Sequence, residues 1–243
     1  MRKAIITRIS GGGQRRSLSE EGFTLAEVLI TLGIIGIVAS LTLPALIQKY
    51  TNHVVEVRLE KFYSMINQAI ARAEADYGDR TYWFEEAGGW NEDQTEHAKL
   101  EWAKKYLLPY LKGVNYTFIK TSQQPIFFLP DGTAFGSVNG AEINRDWLFW
   151  TSNPETKCTK WNGTNGYDDI GVCAFPFFYS PDSADKVYKG KGLEPWRAGW
   201  DGTVESLYSE CKNKDRSYNR PCAAIIQFNG WKIPKDYPYK VHY

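Results

Sequence analysis

Histidine and methionine are scarce in this sequence, with three of the first and two of the second. His53, His97 and His242 stand too far apart for metal-ligand spacing, so each is expected at a surface or interface. No Gly-x-Ser-x-Gly elbow and no phosphate-binding Gly-x-x-x-x-Gly-Lys-Ser loop occurs; Gly136-Ser137-Val138-Asn139-Gly140 fits neither pattern. The adjacent carboxylates Glu85-Glu86 and Asp168-Asp169 point alternate ways on a strand and read as solvated pairs rather than acid–base partners. No catalytic residue is therefore expected, and the chain is not read as an enzyme. There is no Cys-x-x-Cys either, which argues against a zinc site.

Net charge is also nearly missing, at +1 over 243 residues. A protein built to coat nucleic acid would be far more basic, so no nucleic-acid partner is expected. The apolar share of 43% and charged share of 23% are those of a folded chain. The charge is unevenly placed. Arg2, Lys3, Arg8, Arg15 and Arg16 outweigh Glu20 and Glu21 in the first 22 residues, leaving a slightly acidic remainder. A basic N-terminal stretch is where targeting information sits.

Charge is absent altogether from residues 28–47. Twenty helical residues rise roughly 30 Å, the thickness of a bilayer core. The basic residues before the run, against only Lys49 and Arg58 soon after it, place the N-terminus in the cytoplasm. A cleaved signal peptide is the competing reading, with Ala39-Ser40 and Ala45 as its small residues, but its apolar core would be shorter. Beyond the run, Val55, Leu59, Phe62, Ile66, Ala69 and Ala73 recur at steps of three and four, one narrow helical stripe. Glu56, Arg58, Glu60, Lys61, Asn67 and Arg72 fall on the opposite face. One helix from about Thr24 to Asp76, roughly 80 Å long, is expected to stop at Gly78.

Residues 78–91 read as a loop, and a second helix is expected over 92–108. It has Glu92, Asp93 and Glu96 at its start and Lys104 and Lys105 at its end, in keeping with the helix dipole. The remainder has β texture. Val114–Lys120 alternates, and Ile126–Leu129 and Thr133–Val138 flank the turn Pro130-Asp131-Gly132 as a hairpin. A second hairpin is expected where Ala223–Phe228 and Trp231–Pro234 flank Asn229-Gly230. Residues 139–222 read as long loops with short strands. Their tryptophans, at 147, 150, 161, 196 and 200, suit either a compact aromatic core, the favoured reading, or a partner-binding face. Asn162, Asn165, Asp168 and Asp169 offer oxygen ligands for calcium. The Asp-x-Asp-x-Asp-Gly pattern is absent, so a plain turn is preferred and no cofactor is expected. The cysteines lie at 158, 173, 211 and 222. Sequence neighbours in separate loops are the simplest of three pairings, Cys158 with Cys173 and Cys211 with Cys222.

The most informative stretch is Gly22-Phe23-Thr24-Leu25-Ala26-Glu27, set between the basic leader and the apolar run. It resembles the prepilin signature shared by type IV pilins, type II secretion pseudopilins and competence pseudopilins. The resemblance is close over residues 22–47 and extends in pattern to about residue 76. It implies cleavage between Gly22 and Phe23 by a prepilin peptidase and N-methylation of the new Phe23 terminus. It also implies an assembly role for Glu27, whose carboxylate would approach a neighbouring subunit's amine, and for Pro44, a helix-kinking proline. The leader of 22 residues is longer than many in that family, as is the 221-residue remainder.

What the resemblance implies for the whole chain is an α+β fold. Residues 1–22 are the leader, 23–48 the transmembrane and filament-core helix, 49–78 its amphipathic continuation, and 79–243 a globular head with an antiparallel sheet and disulfide-bonded loops. The function implied is that of a structural subunit of a type IV pilus-like or type II secretion-like filament. A minor surface pilin with an adhesive or DNA-uptake head is the alternative, and a pilin-anchored surface enzyme a remote one. The partners implied are prepilin peptidase, other copies or homologous pilin subunits, an inner-membrane assembly platform with its ATPase, and the lipid bilayer. The chain would cross the bacterial inner membrane once, head outside the cytoplasm, before joining a periplasmic or cell-surface filament.

Overall fold

The computed structural model describes residues 23–86, 95–119, 124–138, 145–161, 166–215, 217 and 219–243, without the side chains of 84–86 and 95–97. The leader with Gly22, the Gly88-Gly89 and Asn91 loop residues, Glu92 and Asp93, Asn162 and Asn165 lie outside the described residues. So do the side chains of Glu85, Glu86, Glu96 and His97. The chain divides into two compact units, Met1–Ala45 and Leu46–Tyr243. That division falls slightly before the expected boundary after residue 48.

Helix α1 runs over Leu25–Tyr77, within a residue of expectation at each end, and passes through Pro44. Proline lacks the amide hydrogen that would serve the Ser40 carbonyl, so that carbonyl has no donor four residues on. In the first unit the side-chain hydroxyls bond inside the helix itself. Thr31 donates to Val28 O at 2.9 Å, Ser40 to Ile37 O at 2.8 Å and Thr42 to Val38 O at 2.9 Å. The large apolar side chains of this stretch, Leu29, Ile34, Ile37 and Leu41 among them, are exposed.

In the second unit the stripe predicted from periodicity is buried throughout: Val55, Leu59, Phe62, Ile66, Ala69 and Ala73, joined by Ile70. Helix α1 ends where Gly78 turns to φ +84° and donates to Glu74 O at 2.9 Å. A short helix α2 (Thr81–Glu86) follows, where a loop was expected. Asp79 starts it, accepting from the Thr81 amide at 2.9 Å and the Thr81 hydroxyl at 2.8 Å, an Asx turn that the Gly- and aromatic-rich composition concealed. Helix α3 spans Thr95–Tyr106 and leads through a single 3-10 turn, Leu108–Tyr110, into the sheet.

The sheet is an antiparallel meander of six strands in sequence order: β1 (Asn115–Phe118), β2 (Pro125–Phe128), β3 (Ala134–Ser137), β4 (Asp146–Trp150), β5 (Ala174–Tyr179) and β6 (Leu193–Pro195). The β2–β3 pair is the hairpin read from Pro130-Asp131-Gly132. Its register brings Phe127, Phe135, Phe149 and Phe175 opposite one another across four strands. Phe62 of α1 packs onto this row, its ring centroid 5.5 Å from Phe135 and 4.3 Å from Phe149, and 5.2 Å from Phe177 beside them. The other face carries a separate core of Ile126, Ala134, Leu148 and Trp150 under the Cys158–Cys173 loop with Trp161 and Ile170. Both faces of the central strands are thus buried, and the tryptophans at 147, 150, 161 and 196 are core residues.

Helix α4 (Val204–Lys212) interrupts the region read as loops. Thr203 caps it by accepting from the Ser206 amide at 3.3 Å. The expected hairpin at the end of the chain is overturned. Cys222–Phe228 form helix α5, with Cys222 to Ile226 all buried. Asn229-Gly230 does not turn a hairpin but closes this helix. Trp231 N–H bonds Ile226 O at 2.8 Å and Gly230 N–H bonds Gln227 O at 3.0 Å, with Gly230 at φ +65°. That is a Schellman cap, in which Asn-Gly serves a helix end as readily as a strand turn. Ala223-Ala224 favours the helix, and the bond from Cys222 to Cys211 ties α5 to α4.

Candidate functional site

Phe23, Thr24 and Glu27 form the start of α1. Phe23 is 88% exposed and lies outside the helix. Thr24 and Glu27 satisfy one another: Glu27 Oε2 accepts from the Thr24 amide at 2.8 Å and from its hydroxyl at 2.9 Å, while the Glu27 amide donates to Thr24 Oγ1 at 3.2 Å. This is a capping box, the Thr-x-x-Glu pattern that serves otherwise orphaned amides at a helix start. The two Thr24 donors are neutral, so the capping box hydrogen-bonds the Glu27 carboxylate without supplying an opposite charge. The Thr-x-x-Glu spacing is the signal in the sequence that marks this cap. The carboxylate is thus hydrogen-bonded where the apolar run begins.

Three residues expected on the face of α1 opposite the stripe, Glu56, Arg58 and Asn67, bond other parts of their own unit instead. Glu56 is buried; its Oε1 accepts from the Ile233 amide at 2.9 Å and its Oε2 lies 3.3 Å from Lys232 Nζ. His53 Nδ1 stands 3.8 Å from the same carboxylate. Arg58 donates to Thr151 O and lies over the Tyr243 ring, 4.6 Å from its centroid. Asn67 bonds Leu193 of β6 through both amide atoms. The stripe showed which face is apolar. It held no sign that backbone groups of β6 and of residues 229–243 would seek partners on the flanks.

Beside Asn67, Glu194 sits in a buried polar cluster. Tyr63 donates to Glu194 Oε1 at 2.8 Å, Gln227 Nε2 to Oε2 at 3.3 Å, and Arg197 Nη2 is 3.6 Å from Oε2. Burial first, and the Glu194 charge second, push the Tyr63 hydroxyl well above its ordinary pKa. Tyr63 is therefore held as a proton donor to Glu194. The cluster joins α1, β6 and α5.

Cys158 pairs with Cys173 and Cys211 with Cys222, as expected of sequence neighbours, and all four are buried. Of the four residues weighed as calcium ligands, two are described. Asp168 is exposed and ion-paired to Lys214 at 3.2 Å. Asp169 is buried, with Oδ2 accepting from the Lys160 amide at 2.6 Å. Asp169 also lies beside the Cys158–Cys173 sulfurs, but sulfurs joined to each other offer no thiolate to a metal.

These features define a class: a chain with, among the described residues, one helix long and apolar enough, by length and composition, to cross a membrane, and a disulfide-bonded α+β unit. The chain belongs to a family of unknown function (DUF6613), whose model matches residues 45–241. Phe23, Glu27 and Pro44 precede the matched stretch, and the four cysteines lie within it. No curated protein and no solved structure matches the chain.

Proposed function

We propose that this chain is the structural subunit of a pilus-like or type II secretion-like filament, released from its leader by a prepilin peptidase between Gly22 and Phe23. The observation that carries the reading is the junction itself. An exposed Phe23 is followed at once by a capped helix whose large apolar side chains from Leu25 to Ile47 have no cover. Such a surface requires lipid, or the same surface on neighbouring subunits. Head-to-tail contact between identical apolar helices does not close on itself, and so builds filaments. In this reading Phe23 is N-methylated, and Pro44 with Gly33 and Gly36 loosens the helix once neighbours pack against it. The subunit waits in the inner membrane with the Leu46–Tyr243 unit outside the cytoplasm, where disulfides persist. An assembly platform and its ATPase supply the work.

N-terminal sequencing and intact mass of the chain from membranes test the reading. A start at methylated Phe23 is expected. A start near Ser40 or Leu46 marks an ordinary signal peptide and rejects the proposal.

A further inference from the structure

Residues 237–243 are pinned to the rest of their own unit by their inward groups. Tyr237 donates to Gly171 O at 2.7 Å, Tyr239 to Cys211 O at 2.8 Å, and Val241 is buried. The His242 amide donates to Val172 O at 3.2 Å, while its carbonyl accepts from the Thr151 hydroxyl at 2.9 Å. Gln48 Nε2 reaches Val241 O at 3.3 Å and Asn52 Oδ1 at 2.7 Å. Gln48 is the first residue after the apolar run 28–47, and Lys49 is the first charge beyond it. The pinned segment therefore sits at the level of the helix where the apolar run gives way to polar sequence.

What this level turns outward is basic and aromatic. Lys49, Tyr50 and His53 are exposed on α1, and Lys240 and His242 are exposed on either side of buried Val241. Tyr50 is 62% exposed, a large aromatic ring without cover. Two acidic groups near these residues in sequence are engaged: Glu56 with Ile233 and Lys232, and Asp236 with the Tyr208 hydroxyl at 3.0 Å. Lys49 and Lys240 enter in no ion pair among the described residues. Tyrosine at an apolar–polar boundary and lysines just beyond it are the side chains that settle at a headgroup layer, the ring among the glycerol groups and the ammonium on phosphate.

We propose that Lys49, Tyr50, Lys240 and His242 form a docking surface for the anionic headgroups of the bilayer that the apolar run crosses. It would hold the Leu46–Tyr243 unit against the membrane before the subunit is taken up. The proposal rests on reading residues 28–47 as a membrane span.

The test is photo-crosslinking of the full chain in vesicles of phosphatidylethanolamine and phosphatidylglycerol. p-Benzoylphenylalanine replaces His242 in one sample, Ile35 in a second and Tyr82 in a third. Tyr82 is 66% exposed and follows the opposite end of α1, about 45 Å of helix from Gln48. Lipid adducts at positions 242 and 35 but not 82 are expected. The adduct at 242 should fall about fivefold for each of Lys49→Gln and Lys240→Gln, the Boltzmann factor for one lysine near an anionic surface. It should fall also when phosphatidylcholine replaces phosphatidylglycerol. Adducts at 35 with none at 242 overturn the docking surface and leave the span standing. Adducts from 242 to a second copy of the chain overturn it in favour of a protein contact. Absence of lipid at 35 as well removes the span, and the docking surface with it.

Discussion

Asn67 of α1 grips Leu193 of β6 by both backbone groups: its Oδ1 accepts the Leu193 amide and its Nδ2 donates to the Leu193 carbonyl, each at 2.9 Å. The side chain acts as one more residue of β-strand beside a three-residue edge strand. Gly192 makes room for it, since a Cβ there would lie 2.0 Å from Asn67 Oδ1. Asn67→Leu leaves two backbone groups unpaired at a buried residue, at a cost of about 2–4 kcal/mol. Gly192→Ala forces the same bonds apart. Both variants should melt at lower temperature than the parent when the full chain in detergent is followed by near-ultraviolet circular dichroism. An unchanged melting temperature for Asn67→Leu would show that β6 is held by its pairing with β5 alone.

The two disulfides close loops with sequence separations of 15 and 11. Each contributes about 3 kcal/mol in the chain-entropy account. With all four cysteines buried, a reductant reaches them after opening of the fold rather than before it. Non-reducing peptide mapping should return Cys158–Cys173 and Cys211–Cys222. Reduction by dithiothreitol should accelerate in step with unfolding as urea is raised. Fast reduction in native buffer would contradict the burial of the sulfurs.

Glu74 and Arg80 set an expectation for acid. The Arg80 guanidinium bonded to Glu74 holds that carboxyl below its ordinary value of 4.5. A carboxyl with a lowered folded-state pKa stabilises the fold above its unfolded value, and that contribution is lost as pH falls through the folded value. Stability should therefore decline below about pH 4.5, more steeply in the parent than in Glu74→Gln. The Glu74 side chain is a third exposed, so solvent screening keeps the difference below about 1 kcal/mol. Thermal melts of the two proteins between neutral pH and acid measure it; parallel curves would assign the acid limb to other carboxylates.

The capping box at Thr24 separates two roles of Glu27. Glutamine at this position still caps, whereas alanine does not. Glu27→Gln should keep the helix start, membrane insertion and cleavage after Gly22. Glu27→Ala should also insert and be cleaved, with a frayed first turn. If the charge meets a neighbour's amine in the filament, both variants should enter sheared filaments poorly compared with processed protein in the membrane. Incorporation of Glu27→Gln at the parent's level, with Glu27→Ala reduced, would assign the residue to capping instead.

Local patterns in the sequence were enough for α1, its end at Gly78, its buried stripe and the β2–β3 hairpin. Each follows from periodicity or turn chemistry carried within a few neighbouring residues. The pairing of cysteines followed from their nearness in sequence. Asp146–Trp150 and Ala174–Tyr179 were harder to see. These strands are buried on both faces, so their apolar residues run on without the alternation that marks a half-exposed strand.

Asn229-Gly230 marks the limit most clearly. The dipeptide supplies a positive φ, and both a hairpin and a Schellman cap use one. What decided for the helix was the position of Cys222 against Cys211 and the burial of Cys222 to Ile226, neither of which is a local property. The same holds for Glu56, Arg58 and Asn67. As residues on a helix they are polar and off the stripe. Only the packed chain brings unpaired backbone of Ile233, Thr151 and Leu193 within their reach, and a polar side chain goes where a buried polar group lacks a partner.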